Sequence, residues 1–466
     1  MLDPSDDPSN DPSVVELAAG IATGDRSSVE VVEHTIARIE HLDPGLQAVV
    51  APMFDGARAR AAEADGAVSS GESLGPLHGV PFGIKDLFDT AGVTTACGSP
   101  ILADRIPTET ATAVQRLVAA GAIPLAKLAM TEFAGSVHHT ELTTPRNPYQ
   151  HDRSPGGSSS GSAVAVAAGM VPFALGTDTV ASIRLPAAWN GCVGFKPTWG
   201  RVSRAGVYPL AQSFDHVGPL TRGVADAALI TGVLAGHDPL DPTSLRRSVP
   251  AGWPDVGDVG DVGDIRVGFD EEFVTANVDP GVAGAVREAV GALADRGADV
   301  VPITVPLRDE SLEPYFHLLL AETAMAHRSH FPERAEEYSS QFRDLLEQAR
   351  AVTTDSVIRA SLFRRAFVDA VHQLFRNVDV LITPVNPITA PPADTGELLW
   401  DTGLLAFLQF TYLWNLAGVP AVALPWGLDD DGMPRSVQII GPTDAEQRVL
   451  AVAASLERPL VSPPSP

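Results

Sequence analysis

Residues 155–186, PGGSSSGSAVAVAAGMVPFALGTDTVASIRLP, constrain the fold more than any other part of the chain. They read as a glycine–serine turn, an alanine-rich helix over 162–168, a short strand over 173–176 and a second tight turn ending in a lone serine. Glycine lets the main chain approach closely and adopt positive φ, so the Gly-Gly-Ser-Ser-Ser-Gly run can set N–H groups and hydroxyls against a substrate. The helix that follows is nearly all Ala and Val, small enough to pack tightly inside a large protein. That arrangement would hold Ser158 and Ser182 face to face. Taken alone, the run is suggestive and not decisive, since Gly/Ser runs are more often flexible linkers.

Such turns need chemistry nearby, and lysine is the informative residue. Of 32 basic side chains only Lys85, Lys127 and Lys196 are lysine. Arginine stays protonated in proteins, whereas a buried lysine can lose its proton and act as a base. Lys85 closes a short apolar segment, Val80 to Ile84, and strand ends beside loops are where α/β folds place their chemistry. An unactivated serine hydroxyl is a poor nucleophile and needs a base within reach. No histidine is well placed for this: His138 and His139 fall in a polar loop, no HExxH occurs, and His216 reads as a structural or rim residue.

Around this stretch the pattern alternates helix and strand. Amphipathic helices open the chain after Ser13, a β-α-β unit spans 265–304, and strands return near the C-terminus. This predicts an α/β fold with a large mixed sheet sandwiched by helices. Residues 1–12 read as a disordered acidic tail, 13–458 as one domain and 459–466 as a C-terminal tail. Within the domain, 250–264 reads as a linker, containing the Asp-every-third repeat DVGDVGDVGD, and 311–376 as a mainly helical lobe. The net charge of −26 excludes nucleic acid and anionic membrane as partners, because phosphate binding needs a basic surface. Two cysteines, no zinc-ligand spacing, no signal peptide and no apolar run of membrane-spanning length predict a cytoplasmic protein without metal or cofactor.

The chain closely resembles the amidase signature family. The resemblance runs through GVPFGIKD, GSPIL, PGGSSSGSA, GTDTVASIRLPAA, VGFKPTWGRVS, SFDHVGPLTR, NLAGVPAV and VQIIGP, in the family's order and spacing. It implies Lys85 as base, Ser158 as relay serine held by a cis peptide, and Ser182 as nucleophile of an acyl-enzyme amidase. Backbone N–H groups of Thr179, Val180, Ala181 and Ser182 would form the oxyanion hole, braced by an Asp178–Arg184 pair. Three departures stand out. Val180-Ala181 replaces the usual glycine-containing pair, Trp189-Asn190 replaces a smaller apolar pair, and Ala129 stands where relatives carry Asn. The substrate expected is a small amide, with ester and carbamate open, in a pocket drawing on Trp189, Trp400, Phe407, Phe410, Tyr412 and Trp414. Alternatives are the A component of a glutamine-dependent amidotransferase, working with a partner chain, and a binding homologue impaired by Val180-Ala181. A homodimer is also left open.

Overall fold

The computed structural model describes residues 7–8, 11–72, 74–135, 137–247, 253, 262–394, 407–459 and 461–464. The repeat, apart from Val262–Asp264, and Trp400 lie outside these residues.

Eleven strands form one mixed sheet: β1 (Val49–Pro52), β2 (Pro81–Lys85), β3 (Ile123–Leu128), β4 (Phe173–Asp178), β5 (Val193–Lys196), β6 (His216–Thr221), β7 (Arg266–Phe269), β8 (Asp299–Pro302), β9 (Val380–Thr383), β10 (Ala421–Leu428) and β11 (Pro434–Ile440). Their order is β1-β3-β2-β4-β6-β5-β10-β11-β9-β7-β8. β3, β2 and β4 run parallel, as do β9, β7 and β8, while the centre is antiparallel. β2 to β6 are buried along their whole length, as a sheet covered on both faces requires. The α/β fold with a large mixed sheet is therefore as expected.

The helix of the opening stretch spans Ser160–Ala167, and every one of its residues is buried. Small side chains are obligatory there. A Cβ on Gly161 would come within 2.6 Å of the Ala129 nitrogen and of the Ala48 carbonyl oxygen. The strand after it runs to Asp178, two residues beyond the expected end, because β6 pairs with it throughout, from Phe173↔Thr221 to Asp178↔His216.

Register then positions the site. β2 and β4 are parallel neighbours paired at Gly83↔Ala174 and Ile84↔Leu175, so Lys85 and Thr177 emerge side by side at their C-terminal ends. The segment read as a helical lobe carries helices Leu312–His327, Ser340–Ala349 and Thr354–Leu374. Near the N-terminus, Asp11 pairs with Arg38 at 3.4 Å, and the Pro12 carbonyl accepts from Arg222. No helix among the described residues is long and apolar enough to cross a membrane.

Candidate active site

Lys85 is fully buried, and its Nζ lies 2.7 Å from Ser158 Oγ and 2.8 Å from Thr177 Oγ1. Burial pulls its pKa from 10.5 down to about 7, against the opposing pull of Asp178 and Asp215. A large fraction of Lys85 is therefore the neutral amine near neutral pH. In that form Nζ offers a lone pair to the Ser158 proton, whereas the ammonium can only donate. The Gly157–Ser158 peptide is cis.

Ser158 and Ser182 line one cavity of about 530 Å³. The two turns are bonded directly, since the Ser159 N–H donates to the Ser182 carbonyl at 3.2 Å. Ser159 Oγ donates to the Thr177 carbonyl at 3.3 Å, tying the first turn to β4 as well.

The second turn is pinned through its carbonyls. Tyr315 Oη donates to the Thr179 oxygen at 2.9 Å, Arg184 Nη2 to the Val180 oxygen at 3.0 Å, and the Leu185 N–H to the Ala181 oxygen at 2.7 Å. In a trans peptide C=O and N–H point opposite ways. Fixing these three carbonyls therefore turns the N–H groups of Val180, Ala181 and Ser182 to the other side. Among the described residues none of these three N–H groups has a protein acceptor, and all three residues line the cavity. Neither Val180 nor Ala181 is among the described non-glycine residues with positive φ. The β-branched side chain at 180 thus meets no left-handed backbone, and glycine is not needed there.

Asp178 and Arg184 form the brace. Arg184 Nη2 and Nε reach the carboxylate at 2.9 and 3.0 Å, with both side chains wholly buried. Asp178 Oδ2 also accepts from the Ile183 and Arg184 N–H groups, closing the turn onto helix Arg184–Asn190. The remaining guanidinium donors go to Gln438, Asn415 and the Thr411 carbonyl. Burial pushes the Asp178 carboxyl up, but Arg184, with Lys196 and Asn415 adding, more than offsets this and holds it well below the usual range.

The cavity walls correct part of the aromatic expectation. Trp189 and Phe407 line it, with ring centroids 5.6 Å apart. Phe410, Tyr412 and Trp414 do not. Phe410 packs on Phe273 at 4.6 Å, Tyr412 on Tyr315 at 5.2 Å, and Trp414 is completely buried in the core. Asn190 also turns away from the cavity, donating to the Pro155 and Pro186 carbonyls at 2.7 Å and so fastening the first turn to the helix after the second. Ala129 lies beneath helix Ser160–Ala167, its carbonyl accepting from Gly161 N–H. His216 is buried in β6 and does not line the cavity, its Nδ1 facing the Phe214 and Asp178 carbonyls.

Sequence reasoning missed His138, which lines the cavity with Nε2 2.8 Å from Ser160 Oγ and which burial lowers to a pKa of about 4. It also missed Tyr315. Neither stands in a periodic pattern or motif that could have marked it.

The family model for Amidase matches residues 30–450. The chain is 40% identical to the A component of the glutamyl-tRNA(Gln) amidotransferase from Anaeromyxobacter sp. (strain K), across 97% of each chain. The peptide amidase of Stenotrophomonas maltophilia superposes with a TM-score of 0.83 at 30% identity, covering 98% of this chain and 99% of that one. A 6-aminohexanoate cyclic dimer hydrolase superposes with a TM-score of 0.87 at 28% identity over 99% of each chain. With its mixed sheet, its two linked serine turns and these matches along nearly its whole length, the chain belongs to the amidase family.

Proposed function

We propose that the chain hydrolyses the carbon–nitrogen bond of a small, uncharged amide through an acyl-enzyme on Ser182. The observation that carries this reading is a fully buried Lys85, of pKa about 7, in contact with Ser158 in a cavity that Ser182 shares. Ser182 Oγ attacks the amide carbonyl as its proton passes to Ser158 Oγ and the Ser158 proton passes to Lys85 Nζ. The oxyanion is met by the N–H groups of Val180, Ala181 and Ser182. Reversing the relay protonates the leaving amine, and water then cleaves the ester with the same groups.

The name of the Anaeromyxobacter relative raises the second reading, glutamine-dependent amidotransfer. Glutamine brings an α-carboxylate, and a carboxylate leaving water needs a cation or a dense set of donors. The described residues lining the cavity include no Lys or Arg; Asp394 is their carboxylate and His138 is held neutral. Residues 395–406, which join lining residues Asp394 and Phe407 in sequence, contain no Lys or Arg either. The walls are instead largely apolar, including Val180, Leu185, Trp189, Phe316, Leu319 and Phe407. These features favour hydrolysis of an uncharged amide. A binding-only role draws no support from Val180-Ala181, whose backbone carries no positive φ.

A fluorophosphonate serine probe tests the proposal. The parent is expected to label and Ser182→Ala to remain unlabelled. Labelling that persists in Ser182→Ala, or a parent that binds amides without ever labelling, rejects it.

A further inference from the structure

We infer that Tyr315, from the helix Leu312–His327, is a positioning residue for the oxyanion-binding turn, fixing through the Thr179 carbonyl the direction of the Val180 N–H. The inference rests on the acyl-enzyme reading and adds a residue that lies outside the Lys85, Ser158, Ser182, Asp178 and Arg184 set.

Three peptide planes present the N–H groups, and two of them are held from within the turn and its own helix, by Arg184 and by Leu185 N–H. The first plane, between Thr179 and Val180, is held from elsewhere in the chain. Tyr315 Oη donates to its oxygen across 136 positions of sequence. That plane is not fixed by the Thr179 side chain, whose Oγ1 donates to Asp215 Oδ1 at 2.6 Å and so anchors the residue without setting the rotation of the following peptide. Asp215 is itself secured by the Leu210 and Ala211 N–H groups.

The tyrosine is built to hold still. It is fully buried, its ring centroid 4.8 Å from Phe214 and 5.2 Å from Tyr412. Arg364 lies over Phe214, at 4.4 Å from the ring centroid. Burial pushes the phenol pKa well above its ordinary value, with Asp178 and Asp215 acting in the same direction, so Oη keeps its proton and remains a donor. Neighbours of Tyr315 on the same helix, Phe316 and Leu319, line the cavity. The element that walls the substrate site thus also aims one of the groups that would receive the transition-state charge.

Donors aimed in advance act on the transition state, not on the bound ground state. Tyr315→Phe removes one oxygen and keeps the ring packing. It is expected to lower kcat about 10- to 100-fold with KM unchanged, less than the loss of a whole oxyanion donor because the N–H is misdirected and not deleted. Affinity for a trifluoromethyl ketone that forms a tetrahedral adduct on Ser182 should fall by the same factor. Binding of an uncharged amide, measured by calorimetry in the Ser182→Ala background, should stay within about twofold. Tyr412→Phe deletes a hydroxyl of the same aromatic cluster that bonds Ser311 and not the turn, and is expected to behave as the parent.

A Tyr315→Phe enzyme with parental kcat overturns the inference, as does one whose ground-state affinity falls in step with kcat, or a Tyr412→Phe enzyme impaired to the same degree. Ser182→Ala separates the two claims. If it turns amide over like the parent, the acyl-enzyme reading fails; if it is inert while Tyr315→Phe is normal, the positioning role alone fails.

Discussion

Lys85 shows what a scarce residue type can reveal. All three lysines of the chain are fully buried, yet they do different work. Lys127 pairs with Asp86 at 3.1 Å, and Lys196 is wrapped by the Trp414 and Val419 carbonyls and His216 Nε2. Scarcity therefore pointed to burial, and it is the contact with Ser158 that makes Lys85 the proposed base. Because the base must be neutral, kcat/KM is expected to rise with pH through about 7, falling about tenfold per unit below it. Lys85→Ala should lower amide turnover by about 10²–10⁴-fold above pH 7, with the gap to the parent narrowing as pH falls and the parent's own base is protonated. Stability carries a second signature. The folded pKa, about 7, lies below the ordinary 10.5, so between these values the unfolded chain binds the extra proton. The cost of burying the charge is complete below pH 7 and fades as pH rises from 7 to 10.5. Chemical denaturation of the parent should show Lys85 contributing a gain in stability across that window, and Lys85→Ala should lack it. A pH–rate profile flat from about pH 5 to 8 would contradict the base assignment.

At the scale of elements, the turn between β4 and helix Arg184–Asn190 was legible where sequence distance was short. Asp178 and Arg184 are six positions apart and meet as expected. The partners that complete the turn, Tyr315, Asn415 and Gln438, come from distant segments, and no local pattern announces a contact made across the fold. Strand β6 was hidden for another reason: HVGPLT carries Gly and Pro, which normally break a strand. Pro219 is tolerated because the ladder to β5 involves only Leu220 and Thr221, leaving no donor required at 219 on that side. Phe410, Tyr412 and Trp414 were misread as pocket residues because composition cannot separate a core ring from a cavity wall, whereas Trp189 and Phe407 do line the cavity. The Asp178–Arg184 brace has a direct test. Asp178→Ala leaves a wholly buried guanidinium uncompensated, which should lower unfolding stability by about 3–5 kcal/mol. Denaturant melts measure this, and a variant as stable as the parent would show that the pair does not hold the turn.

For the whole molecule, the layered α/β plan followed from the alternation of helix and strand, whereas strand order did not, since pairing joins segments as remote in sequence as β5 and β10. Charge acts at this scale too. The chain carries a net −26, and the described walls of its cavity add no Lys or Arg to offset it. An anionic amide meets two barriers: long-range repulsion on approach and an unpaired carboxylate once inside. These barriers respond differently to salt, which screens exposed charges over roughly 8–10 Å at physiological ionic strength but acts little on a buried one. Hexanamide and its analogue with a terminal carboxylate make a matched pair. The neutral amide is expected to be preferred by about 100-fold or more in kcat/KM, the scale of one unpaired buried charge or polar group. Raising salt should leave hexanamide unchanged and recover only part of the deficit of the anion. Comparable kcat/KM for the two, or glutamine hydrolysed as well as hexanamide, would mean that a cation-binding feature compensates the carboxylate, and would return the amidotransferase reading to the front.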